Sequence, residues 1–568
     1  PIRGRVAGGQ RRFTIAGATD RPVRIESDSG GAVALYTSEG TRIEIPSGGT
    51  TRLDSESFTA VAPGGWAVPD EIVFDSPSEL RRDDQQADYI MITHRRLRGG
   101  TERLADIHRR RGLVVRVVDV QDVYDEFNHG IVDPRSLRDF LSHAWNHWRE
   151  PAPRFVLLVG DASWDYKNPT ADDTRYADWT YQPHETRRFI KNSSTPYAEA
   201  ADLNDRNLVP TWSYPTAQGH AASDNWFVCL EGDDATPEMA IGRIPVVKES
   251  ELAAVVEKTR AAVRDPSVGP WRRNLLFITN ESAGFQSRSD STADTFFERG
   301  YVPLKVYPHP EEVANEHHTQ QIVDLFDDGL AAVHFLGHGG RYIWRTGPPD
   351  LKKNHDLFTL DHLEELQATP RLPVVVSLTC YSGPFDHPTA DSIGEKFLRL
   401  PNRGAVAVLA ASWRNSPSAQ MGEIILDELT RPGATVGEAI QLAKGRIRNP
   451  TLVQTYNLLG DPAVPTTAPQ AVLEVEMERA GQTPVARIEA PHAGELLTEW
   501  IGPEGEVAHT ETHAVEAGSV TSWLPESTTA TAVRVYLWDR SSGRDAIGWS
   551  AVGSDRNVVA DAAAGGGS

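Results

Sequence analysis

Cys380 and His338 are the residues of this chain best suited to nucleophilic chemistry, and the sequence presents both in the same way. Cys380 ends the run Val374-Val375-Val376-Ser377-Leu378-Thr379. His338 ends Ala331-Ala332-Val333-His334-Phe335-Leu336-Gly337 and is followed by Gly339 and Gly340. A thiol of pKa about 8.5 is only a few per cent thiolate at neutral pH. A neighbouring imidazole raises that fraction, or protonates a departing amine. The pair suggests a nucleophile and its base.

Buried strands must position them. Each run is apolar, of strand length and free of polar alternation, the pattern of parallel strands covered on both faces. In open α/β sheets, chemistry gathers beyond the carboxyl ends of the strands. His338 and Cys380 are 42 residues apart, enough for one crossover helix and its loops. His334, within its strand, reads as a buried structural residue, and His387 as an exposed loop residue. The second cysteine, Cys229, sits in the strand-like run Asp224-Asn225-Trp226-Phe227-Val228-Cys229-Leu230 and reads as an inert buried thiol.

At 568 residues the chain is too long for one core, so several domains are expected. No apolar run approaches the ~18–20 residues that span a bilayer, so no transmembrane segment is expected. The formal net charge of −22, from 79 acidic and 57 basic residues, argues against a nucleic-acid binder tracking phosphates. Two cysteines exclude a disulfide scaffold and a Cys-x-x-Cys zinc site. The chemistry requires no cofactor. Acidic loops such as Glu231-Gly232-Asp233-Asp234 offer oxygen ligands to a structural calcium ion, without EF-hand spacing. Other metal ligands stay unassigned.

Residues 1–85 alternate short Val, Ile and Thr runs with Gly, Ser and Asp turns, the signature of a small β domain. From 86 to 468, strands alternate with helices, which implies α/β architecture with parallel sheets. Two subdomains are expected there, 86–268 and 269–468, with a long ordered loop region at 164–214. Residues 469–560 return to a β pattern of a size that fits an immunoglobulin-like β-sandwich. The tail, 561–568, reads as a flexible linker.

In order and spacing, several segments resemble the gingipain-type cysteine peptidases, relatives of the caspases. They are Leu158-Val159-Gly160-Asp161, Val209-Pro210-Thr211, Ser223-Asp224-Asn225-Trp226, Ile241-Gly242-Arg243-Ile244-Pro245, Leu336-Gly337-His338-Gly339 and Asn457-Leu458-Leu459-Gly460-Asp461-Pro462. The resemblance covers roughly residues 85–468. It implies two side-by-side caspase-like subdomains, only the second catalytic, followed by an immunoglobulin-like domain. It places the catalytic His on His338, the nucleophile on Cys380 and a third, acidic member on Glu281. A carboxylate on the far ring nitrogen would fix the imidazole tautomer. The backbone N–H groups of Gly339 and Cys380 are the implied oxyanion donors.

The family's best-known members cut after Arg or Lys, which points to Asp290, or Asp294, as a pocket carboxylate. If both aspartates instead cap the following helix, Tyr381, Trp413 and Pro417 line the pocket and favour apolar residues. The resemblance implies a secreted or cell-surface endopeptidase acting on proteins or peptides. A sortase-like transpeptidase and a non-catalytic adhesion module are the alternatives.

Overall fold

The computed structural model describes residues 2–6, 10–14, 22–27, 30–37, 41–52, 57–65, 77–164, 166, 206–232, 234–312, 316–347, 355–387, 391–416, 418–480, 483–526 and 528–553. Most of the expected loop region at 164–214, Pro417 and the 561–568 tail lie outside the described residues.

The chain divides into two units, Pro1–Pro77 and Ser78–Ser568. The first is all β, a three-stranded and a four-stranded sheet. Its core includes Val23, Ile25, Leu35, Ile45, Phe58 and Ala60. The second unit begins at Ser78 rather than at the expected residue 86. Glu126 explains the shift: its carboxylate accepts the Leu80 N–H at 2.9 Å and the Arg81 N–H at 3.0 Å. Trp148 Nε1–H donates to Leu80 O at 3.1 Å.

In the second unit the runs without polar alternation form one ten-stranded sheet. Its strands are β1 (Tyr89–Thr93), β2 (Val115–Asp119), β3 (Phe155–Val159), β4 (Ala240–Ile244), β5 (Asn274–Thr279), β6 (Val302–Val306), β7 (Ala332–Leu336), β8 (Val374–Leu378), β9 (Ala407–Ala411) and β10 (Tyr456–Leu459). The order is β6-β5-β7-β8-β9-β10-β4-β3-β1-β2. Neighbours run parallel except at β9–β10, which is antiparallel. Strands β7, β8 and β9 are buried along their whole length. Helices α1 (Arg98–Arg109), α2 (Val120–Asn128), α3 (Pro134–His147), α4 (Glu249–Arg264), α5 (Ala283–Phe297), α6 (Glu316–Asp328), α7 (Ile393–Arg399), α8 (Ala419–Leu429) and α9 (Val436–Arg446) supply the connections.

The two α/β halves expected from the sequence therefore share one sheet. β10 comes late in the chain yet runs parallel to β4, so it closes the earlier half. Joining the halves through β10 covers two sheet edges that would otherwise stay unpaired.

Several of the quoted sequence segments meet in buried polar contacts. Arg243 is fully buried; its guanidinium reaches Asp224 at 2.6 Å, Gly160 O at 2.8 Å and Val209 O at 2.7 Å. Asp461 accepts from Tyr89 OH at 2.7 Å and faces His108 Nε2 at 2.7 Å. Asn225–Val228 is a 3-10 turn rather than a strand. Asp224 is claimed there by Arg243 and by the Thr211 hydroxyl, which pulls the chain out of an extended run.

Beyond the sheet, residues 473–551 form antiparallel three-stranded and four-stranded sheets around Val475, Ile488, Trp500, Val535 and Leu537. Tyr536, Trp538 and Ile547 from this region join a core with Phe277 and Phe296, so it packs on β5 and α5. No helix among the described residues is long and apolar enough to cross a membrane.

Candidate active site

Strand register brings the candidate residues into one row. Thr279 of β5 pairs with Leu336 of β7, and Leu336 pairs with Leu378 of β8. Glu281, His338 and Cys380 each lie two residues beyond this row, on three adjacent strands at their carboxyl ends. Neighbouring strands are about 4.8 Å apart, so the three residues start within reach of one another.

The loops after β7 and β8 also touch. Beyond β7 the chain enters a small antiparallel sheet of His338–Gly340, Ile343–Arg345 and Asp356–Thr359. A β-carbon on Gly339 would lie 2.8 Å from both side-chain branches of Thr379, the residue before Cys380. The Gly337 N–H donates to Leu378 O at 3.3 Å. The imidazole turn and the thiol turn are thus in van der Waals contact, and only glycine permits that approach.

Cys380 is partly exposed, and its Sγ–H donates to Asn415 O at 2.7 Å. The Asn415 side chain holds that loop in place. Its Nδ2–H group donates to Thr379 O at 3.3 Å and Trp413 O at 3.2 Å, and its Oδ1 accepts from Tyr456 OH at 3.1 Å. The Cys380 N–H has no acceptor among the described residues, whereas the Tyr381 N–H donates to Trp413 O at 3.1 Å. Tyr381 adopts a left-handed φ of 61°, unusual for a bulky residue. Its ring is held by Arg341, which donates to Tyr381 OH at 2.7 Å, and by Trp413 at 5.3 Å.

His338 is partly exposed, with the Phe285 ring edge-on at 5.9 Å. Partial burial, then the cross-strand Arg345, lowers its pKa and favours the neutral imidazole. Among the described residues no hydrogen bond joins His338 to Cys380, because the thiol is turned to Asn415. The Glu281 N–H donates to Thr346 O at 2.6 Å. Its Oε1 lies where a β-carbon on Gly347 would approach to 2.7 Å, beside His355.

The pocket residues fare differently. Tyr381 follows the thiol in sequence, and Trp413 packs on the Tyr381 ring at 5.3 Å. Trp413 is further fixed by Nε1–H donation to Gln218 O at 3.0 Å, in the turn of the hairpin Trp212–Thr216 and Gly219–Ser223. Asp290 lies in the middle of α5, partly exposed and paired with Lys305 Nζ at 2.6 Å. Asp294, one turn on, is exposed. Neither is a buried pocket carboxylate, and neither caps α5, which starts at Ala283.

His334 is buried as expected, but His387 is half-buried rather than exposed, and burial keeps it neutral. Cys229 is a buried thiol whose pKa burial pushes up to about 11. In the acidic loop at 231–234, Asp233 lies outside the described residues. Asp234 caps the Thr236 N–H at 2.8 Å and Glu231 faces Trp145 Nε1, so the described groups there do not converge on an ion. Asn415, Arg341 and Phe285 escaped sequence reasoning, since their roles depend on which loops the strand order makes neighbours.

The model of peptidase family C25 matches residues 82–467. Gingipain R2 of Porphyromonas gingivalis is 23% identical over 269 residues, covering 43% of this chain and 34% of that protein. Gingipain R1 of the same species shows 23% identity, over 26% of its length. The chain thus spans about a third or less of these curated relatives. The crystal structure of the Arg-specific cysteine proteinase gingipain R (RgpB) matches 84% of this chain and 100% of its own, at TM-score 0.50 and 17% identity. The complex of Porphyromonas gingivalis RgpB pro- and mature domains gives a TM-score of 0.51 at 17% identity, over 82% of this chain and 99% of that one. At such identity the structures speak for a shared fold. The family match, over more than half of the chain, shows that it belongs to peptidase family C25, the gingipain-type cysteine peptidases.

Proposed function

We propose that this chain is a cysteine endopeptidase in which Cys380 attacks the scissile carbonyl and His338 moves the proton. The observation that carries this reading is the row beyond Thr279, Leu336 and Leu378, with the Gly339–Thr379 contact locking its two reactive members together. In the resting state the thiol is parked on Asn415 O. Rotation about the Cα–Cβ bond turns it to His338, whose neutral imidazole accepts the proton as the Sγ–C bond forms. The carbonyl oxygen becomes an oxyanion facing the unengaged Cys380 N–H, with the Gly339 N–H as second donor. Imidazolium then protonates the amine as the C–N bond breaks. Water, giving its proton back to His338, hydrolyses the thioester. Glu281 fixes the small sheet that carries His338, through its backbone bond to Thr346, the residue after the cross-strand partner Arg345.

RgpB is an Arg-specific enzyme, and a preference for Arg or Lys here would need a carboxylate beside the thiol. Asp290 is occupied by Lys305 and Asp294 is exposed. Of the pocket candidates, Tyr381 follows the thiol and Trp413 packs on its ring at 5.3 Å, with the Arg341 guanidinium 5.0 Å from the Tyr381 ring. We therefore read the preference as apolar or aromatic. The 473–551 region is read as an immunoglobulin-like module and the site of action as the cell surface or beyond. No observation favours a transpeptidase or an adhesion module over hydrolysis.

The test is cleavage of a randomised peptide library under reducing conditions, with the new N termini sequenced. The intact chain should cut and Cys380→Ala should not. Cutting by Cys380→Ala would overturn the assignment, and cutting confined to sites after Arg or Lys would overturn the pocket reading alone.

A further inference from the structure

Outside the catalytic row, Glu312, His317 and His318 bring a carboxylate oxygen and two imidazole nitrogens within 4.8 Å of one another. Glu312 follows β6, and the two histidines lie in the first turn of α6. His318 Nε2 is 2.8 Å from Glu312 Oε2, and His317 Nε2 is 3.5 Å from Glu312 Oε1. We propose that these three side chains form a binding site for a divalent transition-metal ion of the zinc class, distinct from the Cys380 site.

The donor set selects the ion. Two imidazoles and one carboxylate suit zinc and its neighbours, whereas calcium and magnesium call for an oxygen shell. With metal–ligand bonds of about 2.0–2.1 Å, tetrahedral donors lie about 3.3 Å apart. His318 Nε2 is 2.8 Å from Oε2 and His317 Nε2 is 3.5 Å from Oε1, close to that value, and with all three donors within 4.8 Å of one another side-chain rotation would close the set on one ion.

An ordinary His–Glu ion pair accounts for the arrangement less well. It needs one imidazole, yet two rings with centroids 3.8 Å apart turn their Nε2 atoms to the same carboxylate. Protonated together they would repel, and a metal ion replaces both protons at once. Glu312 is already oriented for the site: the His309 N–H donates to its Oε2 at 2.7 Å. His318 is only 8% exposed, so its ring is fixed by packing, and its Nδ1 has no hydrogen-bond partner among the described residues. The His317 side chain is 59% exposed and leaves an open side for entry and for a water ligand. The positive end of the α6 dipole opposes a cation, and the negative charges of Glu312 and Glu316 offset it.

The site is joined to both flanks of the catalytic row. The Thr319 hydroxyl, one residue past His318, donates to Leu357 O at 2.8 Å, in the small sheet that carries His338. Gln286 Nε2–H donates to Pro308 O at 2.8 Å and to Asn280 O at 3.3 Å, which links the β6 loop to the residue before Glu281. A bound ion would clip that loop to α6 and stabilise this end of the sheet.

Zinc titration of the metal-stripped full chain by calorimetry tests the proposal. The Cys380→Ala background is used, because the thiol and His338 would themselves take up zinc. One equivalent should bind and raise the melting temperature, and cobalt should give the visible absorption of a four-coordinate site. His317→Ala and Glu312→Gln should each weaken that equivalent about tenfold or more and remove the thermal shift. His317 is exposed, so its variant reports even where His318→Ala fails to fold. Absence of zinc binding, or binding unchanged in both His317→Ala and Glu312→Gln, would overturn the site.

Discussion

Replacing Gly339 by alanine tests whether the contact between the imidazole turn and the thiol turn sets the catalytic geometry. The added β-carbon would sit 2.8 Å from Ile343 O and 2.8 Å from Thr379 Cγ2 and Oγ1, well inside the 3.4 Å where ordinary contact begins. Neither neighbour yields easily. Ile343 O belongs to the backbone of the small sheet, and Thr379 is a fully buried β-branched residue with a stiff χ1. Overpacking of this kind costs about 1–3 kcal/mol. The route of relief is a shift of the Thr379–Cys380 turn away from His338, and a misplacement of about 1 Å costs roughly a hundredfold in rate. Gly340 is the internal control, since a β-carbon there meets only Ile343 Cγ2 at 3.7 Å. Urea unfolding and kcat/KM on a peptide chosen from the library are the assays. Gly339→Ala should lose about 1–3 kcal/mol of stability, roughly a hundredfold in kcat/KM, or a share of each. Gly340→Ala should stay within about 0.5 kcal/mol and about twofold. If the two variants behave alike in both assays, the contact does not set the geometry.

Three further outcomes are expected. Iodoacetamide should alkylate Cys380 long before Cys229, because Cys229 is buried with its pKa pushed up to about 11; peptide mapping showing equal labelling would contradict this. Thr379→Val should raise unfolding stability by about 1 kcal/mol and keep activity, since the buried Thr379 hydroxyl has no hydrogen-bond partner among the described residues; a loss measured in urea would reveal a partner. Burial holds the His334 pKa down to about 4, and neither ring nitrogen has a hydrogen-bond partner among the described residues. The unfolded imidazole takes its proton near pH 6.5, so stability is steady above that pH and falls by about 3 kcal/mol as the pH drops to about 4. His334→Leu should flatten that decline, and unchanged acid sensitivity would exclude His334 as its source.

What could be read in advance divides along a physical line. The strands that end at His338 and Cys380 were legible because burial on both faces writes itself into a local apolar run. The third member of the row, Glu281, came from the resemblance, and the register of β5 against β7 supplies the geometric reason for its place. Asp290 shows where local reading stops. Its sequence neighbourhood is equally consistent with a pocket, a cap or a surface, and the partner that decides, Lys305, lies on another element, β6. The strand-like run before Cys229 failed for the same reason, since Arg243 and Thr211 claim Asp224 from a distance. Asn415 is the sharper instance. Nothing near it in sequence marks it as the residue on which the nucleophile rests, because that contact exists only once β9 lies beside β8. The reacting atoms are set by strand ends, which local sequence encodes, and the resting contact and the pocket by loops that strand order brings together. Substitutions in the loop at 412–416 should therefore alter selectivity and thiol reactivity while leaving the identity of the nucleophile untouched.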